Sequence, residues 1–184
     1  MRLYVVRHPQ PEVASGVCYG STDLAVSHRE HAAVLAALMS VLPQDAPIYS
    51  SPLRRCAELA ASLAEAFGAD SVRHDARLAE MHFGEWEMRA WNDIPRTDVD
   101  AWLGDLASYR PGGGETLSEM ALRVRAFQDD LRQQGHKEVI VVCHAGTIRL
   151  LQACHLDASP EEIARAAAAI PHKVSFGEIL VLDW

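Results

Sequence analysis

Four short apolar runs stand out along the chain: Leu3 to Val6, Pro47 to Tyr49, Val139 to Val142 and Ile179 to Leu182. The third is an unbroken Val-Ile-Val-Val bounded by charges and His, the pattern of a strand covered on both faces. Between the runs, apolar positions recur at helical spacing and the segment ends are marked. Ser27-His-Arg-Glu30 reads as a capping box that opens an Ala/Leu helix stopped by Pro43, and a helix over Arg55 to Phe67 ends at Gly68. Thr116-Leu-Ser-Glu119 opens a helix running to Gly135, and Ser159-Pro160-Glu161-Glu162 is a third box with Pro at the first helical position. The order β, α, β, α, β predicts a three-layer α/β/α sandwich with a mainly parallel central sheet. A single domain over 1–184 is expected, with an irregular, lid-like segment at about 78–114 that carries Trp86, Trp91, Trp102 and Tyr109.

In such folds function gathers at the carboxyl ends of the strands. That rule selects Arg7-His8, Ser50 to Arg55 and Cys143-His144, three separated segments that would bring Arg and His side chains to one sheet edge. Neutral imidazole is nucleophilic near neutral pH, and guanidinium forks neutralise and orient phosphate oxygens, so the combination suits attack on a phosphoryl group. Ser51-Pro52-Leu53-Arg54-Arg55 opens a helix whose free amides and dipole also favour an anion; spacing does not choose between its two arginines. A rival lies in the third segment. Cys143-x-x-Gly146-x-x-Arg149 has the spacing of a phosphate loop in which a thiolate attacks phosphorus, but it leaves Arg7-His8, Arg55 and Glu80 without a task. Gly112-Gly113-Gly114 reads as a flexible lead-in to the Thr116 cap rather than a phosphate cradle. His28-x-x-His31 reads as a solvated helix face, since no third metal ligand stands close by.

Composition narrows the partners. The 184 residues are 49% hydrophobic and 23% charged, which is ordinary for a globular domain. Seventeen Lys and Arg against 25 Asp and Glu leave a net charge of −8 with no basic run, so neither nucleic acid nor an anionic membrane is an expected partner. The apolar stretch before Arg7 is too short for a signal peptide, and no segment approaches membrane-spanning length. Cys18, Cys56, Cys143 and Cys154 form no CxxC pair and fit reduced thiols. A cytoplasmic protein acting on a small molecule is the expectation.

Read in order, several motifs resemble the histidine phosphatase (phosphoglycerate mutase-like) superfamily across nearly the whole chain, and within it the α-ribazole phosphatase-like branch. They are Arg7-His8; Cys18-Tyr19-Gly20 with Thr22-Asp23-Leu24; Ser51-x-Leu53-x-Arg55; Leu78-x-Glu80-x-x-Phe83-Gly84-x-Trp86-Glu87; Pro111 to Glu115; and Val142-x-His144-x-Gly146-x-Ile148-Arg149. The resemblance implies a phosphoglycerate mutase-like fold, with His8 as a nucleophile that forms phosphohistidine and Arg7, Arg55 and His144 as the phosphate pocket. It selects Arg55 over Arg54, and Glu80 over its neighbours Glu85 and Glu87 as the acid/base. That acid must carry its proton into the first step, which a neighbouring phosphate dianion favours. Arg and His charges would take the part of Mg²⁺, so no metal or other cofactor is implied. The implied activity is a metal-independent phosphomonoesterase on a small phosphorylated metabolite, first of all α-ribazole 5'-phosphate in assembly of the cobalamin nucleotide loop. A broad-specificity phosphatase or a mutase-like enzyme comes second, and a non-catalytic phosphate sensor is the reading from another class. The chain departs from the pattern at Pro9 to Pro11, where the family usually has Gly-x-Thr. Ala145 and Met88 also depart from it and are expected to bear on pocket width.

Overall fold

Where a hydroxyl precedes Glu by three residues, the chain does turn into a helix. In the computed structural model, which describes residues 1–171 and 174–184, both halves of the capping box form at Thr116 and at Ser159. At Ser27 only the Ser27 hydroxyl acts, accepting the Glu30 N–H. The resulting helices are α1 (His28–Met39), α2 (Arg54–Phe67), α3 (Arg96–Gly104), α4 (Leu117–Gln133), α5 (Ala145–Ala153) and α6 (Pro160–Ala169). Helix α1 stops at Ser40, short of Pro43.

The strands are β1 (Arg2–Arg7), β2 (Val17–Cys18), β3 (Ile48–Ser50), β4 (Val72–His74), β5 (Arg89–Ala90), β6 (Glu138–Cys143) and β7 (Ile179–Asp183). Five of them form one sheet in the order β4-β3-β6-β1-β7, parallel except for β7, which runs antiparallel to β1. Strand alternation sends Leu3, Val5, Val139, Val141 and Cys143 into a core shared with α4, α5 and α6. Val6, Ile48, Ile140 and Val142 go to the opposite core, shared with α1 and α2. The architecture is thus the expected α/β/α sandwich. Strand β4, mostly exposed, lacks the apolar run that marks the others. The segment 78–114 is also more regular than its sequence suggests, holding α3 and β5, the latter paired with β2 in a two-residue ribbon.

Candidate active site

Register builds the site. Arg7 pairs with Cys143 across β1 and β6, and Ser50 with Val142 across β3 and β6. The ladder continues one step further, with the His8 N–H donating to Cys143 O and the Ser51 N–H to Val142 O. His8, Ser51 and His144 therefore leave the same sheet edge side by side. A slip of one residue would turn them to the other face.

The His8 and His144 rings lie 5.0 Å apart, centre to centre, and both residues are buried. His8 Nδ1 donates to Pro9 O at 2.7 Å; a carbonyl only accepts, so the proton sits on Nδ1 and Nε2 keeps its lone pair. The replacement of Gly by Pro at position 9 leaves this carbonyl in place. Burial, then the Arg55 charge, lowers the His8 pKa to about 3, and burial also holds His144 well below its ordinary value. Both imidazoles are therefore neutral near pH 7 in the empty site. The positive charge rests on guanidiniums alone, not on Arg and His together as the resemblance implies.

Those guanidiniums are Arg55 and Arg7. Arg55, 1% exposed, donates from Nη1 to Thr22 O and from Nη2 to Gly20 O, each at 2.7 Å. Arg7 donates from Nη1 to Val174 O at 2.6 Å and lies over the Phe176 ring. The Nε atom of each is shielded from solvent and has no acceptor among the described residues. Neither forms an ion pair with a carboxylate among those residues. Ser51 Oγ lies 2.8 Å from His144 Nε2, which orients the second imidazole.

Glu80 approaches from the loop after β4. Its Oε2 accepts the Gly146 N–H at the start of α5, and its Oε1 accepts the Met81 N–H, both at 3.0 Å. Both donors are backbone amides, one of them in the first turn of α5. Arg123, paired with Glu115, fixes the loop by donating to Arg77 O and Ala79 O. Glu80, Arg7, Tyr19 and Arg149 share the wall of a cavity of about 520 Å³, which Phe83, Trp91, Trp102, Leu117 and Met120 otherwise line. His8, Arg55 and His144 are buried and are not among its lining residues.

The sequence model of the histidine phosphatase superfamily (branch 1) matches residues 3–176. The chain belongs to the histidine phosphatase superfamily. It is 31% identical over 159 residues to adenosylcobalamin/alpha-ribazole phosphatase of Salmonella typhimurium, covering 82% of this chain and 77% of that one. To glucosyl-3-phosphoglycerate phosphatase of Mycobacterium tuberculosis it is 32% identical over 173 residues, covering 84% and 75%. Among solved structures, mycobacterial glucosyl-3-phosphoglycerate phosphatase in complex with VO3 superposes with a TM-score of 0.83 at 27% identity, over 99% of this chain and 90% of the other. The alpha-ribazole phosphatase of Shigella flexneri gives 0.81 at 27% identity, over 100% and 90%. The shared architecture is the phosphoglycerate mutase-like fold.

Within this histidine phosphatase the rival readings dissolve for physical reasons. The Cys143 thiol points into the core and burial pushes it well above its ordinary pKa, while Arg149 spends Nε and Nη2 on Ala167 O and Ala168 O at the end of α6. The anion position at the start of α2 is taken by the Asp23 carboxylate, which accepts the Arg54 N–H, and the Arg54 side chain turns outward to Glu58. The three glycines from Gly112 to Gly114 are not a loose lead-in. Gly112 and Gly114 let this turn approach the backbone of 82–86 so closely that a Cβ at Gly112 would lie 2.3 Å from Phe83 O. His31 is near Ser62, and no group of three or more His, Cys, Asp or Glu suited to a metal occurs among the described residues. Ala145 does line the cavity, but Met88 stands outside it, 51% exposed.

Glu85 is exposed, and Glu87 is committed elsewhere. Glu87 accepts from the Ser21 N–H, the Ser21 and Thr22 hydroxyls and the Phe83 N–H. Burial alone would raise its pKa, but the Thr22, Phe83 and Ser21 hydrogen bonds outweigh that and hold it below the usual carboxylate range. Glu87 thereby ties the loop that offers carbonyls to Arg55 to the turn beside Glu80. Sequence reasoning missed this role, as it missed Ser51 and Arg123. The first two sit inside quoted motifs, whereas Arg123 carries no local signal.

Proposed function

We propose that the protein is a metal-independent phosphomonoesterase that turns over a small phosphorylated metabolite through a phosphohistidine on His8. The observation that carries this reading is a neutral imidazole whose Nε2 has no partner among the described residues, beside two guanidiniums that donate to the neutral carbonyls of Val174, Thr22 and Gly20. A buried cation without a counter-charge is costly, and a bound phosphate dianion supplies that charge. His8 Nε2 attacks phosphorus while the ester P–O bond breaks, Arg7 and Arg55 hold the equatorial oxygens, and Glu80 in its acid form gives its proton to the departing alkoxide. The Glu80 carboxylate then takes a proton from water as the water oxygen bonds to phosphorus and the P–N bond breaks, releasing phosphate and restoring neutral His8. His144, with one ring nitrogen oriented by Ser51, offers the other to a phosphate oxygen.

Alpha-ribazole 5'-phosphate is the first substrate to try, because alpha-ribazole phosphatases occur among both the sequence relatives and the structural neighbours. Glucosyl-3-phosphoglycerate phosphatases also stand among the relatives, and a broad-specificity phosphatase is the second reading. No described helix is long and apolar enough to cross a membrane. The test is hydrolysis of a panel of phosphorylated metabolites in EDTA. His8→Ala should abolish turnover and the quenched phosphoryl adduct, while Cys143→Ser keeps most of both. The opposite pattern would move the chemistry to sulfur. Vanadate binding without turnover of any ester would make the protein a sensor.

A further inference from the structure

The turn Ser175-Phe176-Gly177-Glu178, just before β7, is bonded to Arg7 on both sides of that residue's backbone. The Arg7 N–H donates to Glu178 O and the Gly177 N–H to Arg7 O, each at 3.0 Å. The turn's own sequence sets its shape. The Glu178 N–H closes on Ser175 O at 3.1 Å, and Glu178 Oε2 accepts the Ser175 N–H. Gly177 takes φ +73°, the left-handed conformation that suits the third position of a type II turn. A Cβ on Gly177 would lie 2.8 Å from Val34 Cγ2, so the turn also sits hard against α1. Phe176, at the second position, is thereby delivered to a fixed place relative to the Arg7 backbone.

The Phe176 ring meets the Arg7 guanidinium with its central carbon 3.9 Å from the ring centre. The same ring neighbours the His8 imidazole, 5.5 Å away between centres and tilted by 49°. A guanidinium carries all its N–H donors in its plane and none on its face, so a ring on the face holds the charge without taking a donor. Nη1 of Arg7 is spent on Val174 O, whereas Nε, shielded from solvent, has no acceptor among the described residues. Arg7 is thus fixed at its backbone, at one nitrogen and across one face, while a donor stays open for an oxyanion. A loose arginine would have to be ordered at the moment of binding, which weakens affinity. Arg55 is held differently, by two carbonyls, with the Tyr19 ring centre 5.3 Å from its central carbon. Phe176 does not line the 520 Å³ cavity that Glu80 shares, so it stands apart from the leaving group. We propose that Phe176 is a positioning residue that acts on phosphate through the Arg7 guanidinium its ring holds, a role that rests on the phosphohistidine reading, in which Arg7 binds the phosphate.

The experiment titrates the whole protein with inorganic phosphate by phosphorus NMR and measures hydrolysis of p-nitrophenyl phosphate and glycerol 1-phosphate. Phe176→Leu keeps apolar bulk but removes the ring face, and phosphate should bind about tenfold more weakly, the worth of a cation held on a partly buried ring. Phe176→Tyr, which keeps the face, should restore binding to within about twofold of the parent. In an Arg7→Ala background, Phe176→Leu should cost less than about twofold, since the ring has nothing left to hold. In kcat/KM the Phe176→Leu loss should be the same factor on both esters. Phosphate binding unchanged in Phe176→Leu overturns the assignment, as do equal losses in the Leu and Tyr variants, a loss that persists undiminished without Arg7, or a loss confined to one ester. Phosphate binding involves no covalent step, so turnover retained by His8→Ala would defeat the phosphohistidine reading while the titrations still report on Phe176.

Discussion

Gly146→Ala should separate activity from stability. Gly146 is the second residue of α5, and its N–H donates to Glu80 Oε2. A Cβ at this position would lie 2.3 Å from Glu80 Oε1, against an ordinary contact beginning at 3.4 Å, so the carboxylate must retreat by about 1.1 Å. The colliding atom ends a flexible side chain, and the backbone can stay in place. Ala is favoured over Gly within a helix by roughly 0.5–1 kcal/mol. Against this stands a strained hydrogen bond to a carboxylate, on the order of 1.5 kcal/mol if lost entirely. The two nearly cancel, so Tm should move by no more than about 4 °C in a chain of this length. Displacing a proton donor by about 1 Å, by contrast, costs on the order of 10²-fold in rate. The assay is kcat over a series of esters with graded leaving groups, together with a thermal melt. An alkyl phosphate should lose about 100-fold and p-nitrophenyl phosphate, whose leaving group needs no proton, less than about fivefold. Equal losses across the series would refute the placement of the proton on Glu80, and a collapsed Tm would refute the claim that the clash stays in one side chain.

Glu87→Ala removes the acceptor for four donors and frees the loop that holds Arg55; vanadate should bind about tenfold more weakly, and a parent-like inhibition constant would detach Glu87 from the phosphate pocket. Met88 is the one described non-glycine residue at positive φ, 63°, and its side chain is half exposed. Met88→Gly should therefore raise stability by about 1 kcal/mol in urea unfolding, and a lower midpoint would show that its packing outweighs the strain. His8 binds a proton at about 3 when folded and near 6.5 when unfolded, so between those values the unfolded chain holds more protons and stability falls as pH drops; His144 acts in the same direction. The check is urea unfolding at a series of pH values from roughly 4 to 6.5, where the stability should fall steadily as pH drops, and a flat profile would contradict the burial of two neutral imidazoles.

The layers of the fold could be read from the chain because burial on two faces writes itself as unbroken apolar runs, and hydroxyl caps write themselves as short local motifs. Strand β4 could not, since an edge strand with exposed side chains has no apolar signature. Helix α3 could not either: none of its residues is fully buried, and it opens on Pro95 without a side-chain cap. At the site, Arg7, His8, Arg55 and His144 were legible from the strand-end rule together with the family motifs. The charge state was not, because neutrality of two imidazoles follows from how deeply the fold buries them and how near it brings Arg55. The same holds for Asp23, whose occupation of the α2 amide depends on a contact across 31 positions of chain.

This contrast also explains how relatives about 31–32% identical carry the names of different substrates. The cluster at the strand ends is fixed by backbone register across β3, β6 and β1, where moving one residue moves all of them, so its geometry has to be kept whole. The aromatic part of the cavity wall, Phe83, Trp91 and Trp102, comes from 78–114, which pairs with no strand of the central sheet. Each of these can change without disturbing the nucleophile. Side chains of the wall can then drift while the cluster at the strand ends stays.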